Sequence, residues 1–496
     1  GKKEEDDRYA ALKTEMLKVY SDRSAFAELK ALKESGSVTD PLLARQLEKL
    51  HNSFAENQID EADINEMVKR ETEIESAFTT FRAVIDGEAV SDNAIHELLA
   101  HETDNAKRRA TWEASKQVGA EVAANVISLV KFRNGVAKKL GYPNYYTMSL
   151  TLQELNEDDL FTLLTELEHA SQAPFAAMKQ ELDAELAARY GITPSEMRPW
   201  HYADPFFQEA PTTGEIDLDS YFANHDVVAL SKNYFDGIGL DIQSILDRSD
   251  LYEREGKQQH AYCTDIDRRG DVRILCNVRA NEYWMATMLH ELGHGVYDKY
   301  HDASLPWAVR EPAHILTTEA IAMLFGRLTK NADWLNKIAG VPVEEAQRLE
   351  AAVSRQLTRS MLIFVRWGLV MTFFERDMYN NPDQDLNTLW WDYVERFQLI
   401  TRPENRKTPD WAAKIHLGCA PVYYQNYILG ELNASQFLKA MERDLNVTSI
   451  VGDERVGKWL HEKVFLPGAR DHWNTMIEKA TGEPLSAKYF VEQFVK

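Results

Sequence analysis

Residues 260–278 read HAYCTDIDRRGDVRILCNV, and residues 282–300 read EYWMATMLHELGHGVYDKY. The first stretch holds two short β-prone runs around Arg269-Gly270, which predicts a hairpin. The second places Met285, Met288, Leu289, Leu292 and Val296 at three- and four-residue spacing, the apolar stripe of an amphipathic helix over Glu282 to Tyr300. Nothing else in the chain breaks a helical pattern so clearly. The pair therefore predicts a mainly α protein with one small β element beside one particular helix.

From Asp6 to about Lys139 the pattern is helical, with breaks at Gly36-Ser37 before Pro41, at Gly87, and at Gly141-Tyr142-Pro143. Asn156, followed by Glu157, Asp158 and Asp159, is an N-cap with an acidic first turn and opens a helix to about Tyr190. A proline-rich aromatic loop runs from Pro194 to Pro211, more helix follows, and from about Thr317 onward the chain is again mainly helical. There is no internal repeat and no low-complexity linker.

The 496 residues carry 56 Lys and Arg against 79 Asp and Glu, a net charge of −23, with 44% hydrophobic and 27% charged residues. That is a globular composition without the basic stripe a nucleic-acid binder needs. The most apolar stretch, Met361 to Phe374, is too short to span a bilayer and contains Arg366, so no transmembrane segment is expected. Cys263, Cys276 and Cys419 cannot form a disulfide framework. The charged start, Gly1 to Arg8, fits either a cytoplasmic terminus or the mature end of a cell-envelope or periplasmic protein after signal removal.

The predicted helix contains His290-Glu291-Leu292-Gly293-His294, an H-E-x-x-H pattern. Four residues are slightly more than one turn, so both imidazoles lie on one face and reach one metal ion, with Glu291 beside them to take a proton. The bland alternative is two helix histidines with no ligand. With 14 histidines in the chain, composition alone yields such a pattern in roughly 3 of 100 chains. A zinc hydrolase needs a third protein ligand and an open fourth position. Glu319 starts a helical run 25 residues beyond His294, and two helices folded back through the loop Asp302 to Ile315 would complete a His2Glu set. Farther on, Lys414, His416, Tyr424 and Tyr427 crowd into fourteen residues. Tyr424 and Tyr427 share a helix face if a helix begins near Pro421. A lone tyrosine there is better read as core, but this density reads as an active-site wall supplying oxyanion donors.

Over these residues the sequence resembles the angiotensin-converting-enzyme family of zinc peptidyl-dipeptidases. The resemblance runs from His260 through Gly270-Asp271-Val272-Arg273-Ile274, Cys276, HELGH, Leu305-Pro306 and Glu319-Ala320-Ile321 to about Val341. It resumes from Trp390-Trp391 to the tyrosines. Phe132-Arg133-Asn134 and Leu140-Gly141-Tyr142 are similar also to the thimet and oligoendopeptidase-like families. The resemblance implies a single peptidase domain, an almost all-α, two-lobed body with a deep central cleft. Residues 1–150 would form an N-terminal helical lobe or lid and 151–496 the catalytic body. It implies Zn2+ on His290, His294 and Glu319, with Glu291 as general base and then acid, and with His416 and Tyr427 stabilising the tetrahedral intermediate. Lys414 and Tyr424, with Gln208 as a further donor, would grip the C-terminal carboxylate of an oligopeptide substrate. His260 and the Ala261 backbone would hold the peptide along the hairpin edge.

Four departures from the family pattern carry expectations. The stretch from His416 to the tyrosine pair is one residue longer, which leaves Tyr423 as an alternative to Tyr424. The aspartate that orients a zinc histidine is Met323, so another acceptor is needed or zinc binding is weaker. The chloride-binding arginines fall at Val394 and Asn426, so chloride activation is expected to be weak or absent. Where the family has the disulfide partner of Cys276, this sequence has Gln259. A two-residue turn at Arg269-Gly270 would set Cys263 opposite Cys276, whereas the family register sets Gln259 there and needs a wider turn; the wider turn and free thiols are expected. An oligoendopeptidase or metallocarboxypeptidase on the same scaffold, and a non-catalytic peptide-binding protein, are the alternatives in function.

Overall fold

The computed structural model describes residues 3–211, 217–255, 257 and 260–495. These are mainly α-helical, with two antiparallel two-stranded sheets among the described residues. Local chemistry sets the helix ends. Asn156 accepts a hydrogen bond from the Asp159 N–H (3.0 Å), and the helix it caps, Glu157–Tyr190, ends at Gly191 in the left-handed region. Asp40 accepts from Leu43 N–H (2.8 Å) and Pro41 occupies the first turn of Pro41–Glu56, where its missing N–H costs nothing.

The break expected at Gly87 is a hairpin. Strands β1 (Ala83–Ile85) and β2 (Glu88–Val90) pair Ala83 with Val90, and Asp86 (φ 52°) and Gly87 (φ 84°) form the turn with both central residues left-handed. Three-residue strands are too short for alternation to show in the sequence.

The second hairpin pairs β3 (Tyr262–Asp265) with β4 (Val272–Leu275). Its turn is wider than two residues, with Ile266 N–H bonded to Asp271 O (3.0 Å) and Arg268 (φ 54°) and Gly270 (φ 97°) left-handed. The register differs from both alternatives. Cys263 faces Ile274, which sets Cys276 level with Ala261, midway between the two positions considered. Gln259 lies outside the described residues. All three cysteines are free thiols.

The stretch Met361 to Phe374 lies in the helix Val343–Asn380, which is long and apolar enough, by length and composition, to cross a membrane. Two thirds of its most apolar window (67%) is buried within the protein, as in a core helix. The helix expected over this part of the chain extends well beyond the apolar run on both sides.

By contacts the chain divides into two compact units. The first comprises Gly1–Gln58, Ile216–Leu357 and Asn426–Gln493; the second comprises Ile59–Glu215, Thr358–Gln425 and Phe494–Lys496. The first unit contains the HELGH helix, Glu282–Lys299, whose expected stripe (Met285, Met288, Leu289, Leu292, Val296) is wholly buried. The second contains β1, β2 and the long helix from Glu157, with Trp112, Trp367, Trp390 and Trp411 in its core.

Candidate active site

The first unit builds its site from three helices. Gly293 sits where the helix Ile315–Gly326 crosses the HELGH helix: a Cβ on it would lie 2.7 Å from Ala322 Cα and 3.1 Å from Ala322 N. Only glycine permits that approach, and it brings Glu319, one turn earlier, against the two histidines. His290 Nε2 is 3.7 Å and His294 Nε2 3.9 Å from Glu319 Oε2, and the three ligand atoms lie within 4.8 Å of one another. These separations exceed hydrogen-bond length. Donors around a tetrahedral zinc, bound at about 2.0–2.1 Å, sit roughly 3.4 Å apart, so both histidine–glutamate pairs lie within a few tenths of an ångström of that spacing. The residues fit the metal.

Their protonation suits it as well. Burial pushes the His290 imidazole down to about 4 and His294 to about 3, so both are neutral at pH 7. His294 Nδ1 meets Thr318 Oγ1 at 2.7 Å. With Nδ1–H donating to that hydroxyl, Nε2 turns its lone pair toward Glu319. The acceptor missing at Met323 is thus supplied, for His294, by the residue preceding the glutamate. Glu291 is buried, and burial followed by the charge of Glu319 raises its carboxyl to about 8.

The third helix, Tyr424–Leu445, contributes Tyr427 and Gly430. A Cβ on Gly430 would lie 3.2 Å from both Glu319 Cβ and Met323 Sδ, and Tyr427, one turn before it, feels the Glu319 charge; burial and that charge raise its phenol. This helix begins at Tyr424, three residues later than expected. β4 flanks the HELGH helix: Val272 Cγ1 lies 3.7 Å from where a Cβ on Gly295 would be, and Cys276 is held up to about 12 by burial and by the Glu291 charge. His260 and Ala261 precede β3, outside the paired strand. Beyond β3 no further strand pairs with the hairpin among the described residues, while Asp250 bridges Leu275 on the β4 side.

The second unit gathers Lys414, His416, Tyr424 and Gln208. Gly119 lets the helix Gln117–Lys139 pass close beneath the turn Asp410–Ala413, since a Cβ there would lie 2.5 Å from Pro409 O; the turn delivers Lys414. Lys414 Nζ donates to Gln208 Oε1 (2.7 Å) and lies 5.8 Å from the Tyr424 ring centroid. The Tyr424 hydroxyl accepts from Trp367 Nε1 (2.8 Å), and His416 stands edge-on to the Tyr424 ring at 5.2 Å. These contacts make Tyr424 a neighbour of Lys414 and His416. Burial, then Lys414, lowers His416 to about 4, and its Nδ1 is buried without a hydrogen-bond partner.

Sequence reasoning missed Thr318 and Gly430. A threonine inside an otherwise apolar run, next to the candidate ligand, was the available signal for the first; nothing local marked the second.

A mainly helical protein whose HExxH pair meets a glutamate from a second helix has the donor set of a metal-dependent hydrolase. The chain belongs to Peptidase family M3, whose family model matches residues 98–496. That is the family of thimet and oligopeptidase-like zinc metallopeptidases, the second of the two likenesses drawn from the sequence. Among curated proteins the chain is similar to "Carboxypeptidase 1" of Bacillus subtilis (strain 168), with 23% identity over 269 residues. The match covers 47% of this chain and 51% of that protein, so the chain spans about half the length of the curated relative it matches.

Proposed function

We propose that this protein is a zinc-dependent peptidase that releases dipeptides from the C-termini of oligopeptides. The observation that carries the reading is the convergence of His290, His294 and Glu319, with Glu291 buried beside them. Zinc, when bound there, supplies a Lewis acid for the scissile carbonyl and for the attacking water.

The remaining chemistry falls to the chain. The positive charge of a cation held beside Glu291 would offset the rise in its carboxyl and leave it ionised, so it takes the proton from the water as it attacks and passes it to the departing amine, one water being consumed for each C–N bond broken. Tyr427 donates its O–H to the oxygen that gains charge, and the family resemblance assigns a further N–H donor to His416 of the second unit. Lys414, with Gln208 and Tyr424, receives the free carboxylate of the peptide. His260, the Ala261 backbone and the outer edge of β3 hold the peptide as an added strand.

A second reading, removal of single residues, is favoured by the name of the Bacillus subtilis relative. Product identification by mass spectrometry with one decapeptide, as free acid and as C-terminal amide, separates the readings. Dipeptides from the acid and refusal of the amide are expected; single residues support the second reading, and equal cleavage of the amide overturns both. Glu291→Gln is expected to retain zinc while kcat falls by at least about a hundredfold.

A further inference from the structure

In the second unit, the bend between His416 and the tyrosines is fastened at both ends. His416 opens the short helix His416–Cys419, and Tyr424 opens Tyr424–Leu445. Between them Val422 is wholly buried and left-handed, with φ 55°. Residues other than glycine seldom adopt that conformation and β-branched ones least, because Cβ crowds the following carbonyl. It persists only where neighbours over-determine it.

The neighbours here are polar and specific. Val422 N–H donates to Glu375 Oε1 (2.9 Å), and Val422 O accepts from Gln153 Nε2 (3.1 Å) and Gln425 Nε2 (2.8 Å). At the other end Arg133 Nη2 donates to Gly418 O (2.8 Å) and Glu71 Oε1 (2.6 Å), and Arg133 Nη1 to the Tyr379 hydroxyl (3.0 Å). Arg133 and Glu375 are both buried. Burial raises the Glu375 carboxyl to about 8, against the pull of the Val422 N–H and of Arg133. Glu375 also lies about two turns beyond Trp367 on the helix Val343–Asn380, and the Trp367 indole N–H holds the Tyr424 hydroxyl (2.8 Å). A buried carboxyl and guanidinium are a costly way to stabilise a bend that apolar side chains could pack. What they add is a fixed backbone position.

We propose that Glu375 and Arg133 are positioning residues, which clamp Val422 and Gly418 and thereby set His416 and Tyr424 for the substrate. The inference rests on the roles given above to His416 and Tyr424, and it adds the pair that holds them.

The test is kcat and KM on a free-acid peptide, well below the unfolding temperature, beside zinc affinity. Glu375→Met keeps the bulk and removes the acceptor; it is expected to lower kcat about tenfold or more and to raise KM, with zinc affinity unchanged. Glu375→Gln, which still offers Val422 N–H an acceptor, is expected to restore both to within about twofold. Because the loss of kcat passes through His416, adding Glu375→Met to His416→Ala is expected to cost less than about threefold more. If the methionine variant fails to fold, Arg133→Lys, which cannot serve Gly418 O, Glu71 and Tyr379 together, takes its place with the same expected losses. A lowered unfolding temperature with kcat and KM unaltered overturns the inference, as do fully additive losses in the double variant. If His416→Ala and Tyr424→Phe both leave kcat and KM unchanged, the reading beneath falls and this inference with it. If those two slow cleavage and Glu375→Met does not, the inference alone falls.

Discussion

At the scale of the residue, the account depends on side chains whose ionisation is set by burial. Thr318 is the clearest positioning residue, because its hydroxyl meets His294 Nδ1 at 2.7 Å and so fixes which nitrogen faces Glu319. Outer partners of this kind are worth about 10–100-fold in metal affinity. Thr318→Val, which keeps the shape and deletes the hydroxyl, is expected to weaken zinc by that factor in chelator competition, with the unfolding temperature of the metal-free protein little changed. Lys116 gives a pH-dependent prediction in the second unit. It is fully buried, donates to Pro205 O (2.7 Å), lies 3.3 Å from the Phe206 ring centroid, and is lowered to about 7 by burial against the opposing pull of Asp410. An unfolded lysine titrates near 10.4. Unfolding between those values takes up a proton, so this group makes stability rise with pH from about 7 to 10, by up to about 1.4 kcal/mol per pH unit. Urea melts of Lys116→Met are expected to show a flatter pH profile than wild type over that range; an unchanged profile would mean the amine stays charged.

Elements explain what could be read in advance and what could not. The HELGH helix was legible because its stripe repeats at helical spacing, and the helix from Glu157 because Asn156 and three acidic residues mark its start. Glu319 carries no local mark, as a glutamate near a helix start is ordinarily solvated, and only the folding back of one helix on another singles it out. The register of β3 and β4 was not legible: alternation fixes which side chains share a face, and registers two residues apart preserve that alternation equally well. β1 and β2 left only the break at Gly87, since three-residue strands show no alternation. Gln208, on a loop with no periodicity, came to notice only through the family resemblance, yet it lies 2.7 Å from Lys414. The crossing at Gly293 makes an element-scale prediction. Gly293→Ala would set a Cβ against Ala322 backbone and push the two helices apart, with an expected loss of about 1–3 kcal/mol in thermal unfolding and weaker zinc binding. An alanine variant of full stability and full zinc affinity would show that the close approach is dispensable.

For the whole molecule, the two units are interleaved along the chain, each assembled from three segments, and a division near residue 150 is not among their boundaries. Sequence order therefore gave little guide to which segments pack together, because loops and long helices carry the chain from one unit to the other. Zinc bound by residues from separate helices of the first unit stabilises that unit by mass action, about 4 kcal/mol at a thousandfold excess over the dissociation constant. Chelation is expected to lower the unfolding temperature and abolish peptide cleavage together, and added zinc to restore both; loss of activity with no thermal shift would place the required ion elsewhere.

The central claim is one zinc ion shared by His290, His294 and Glu319. Anomalous diffraction at the zinc edge, from crystals of the zinc-loaded protein, tests it most directly. The account predicts a single strong peak within about 2.0–2.2 Å of both Nε2 atoms and a Glu319 carboxylate oxygen. A peak at other side chains, or one on the histidines with Glu319 turned away, would contradict it.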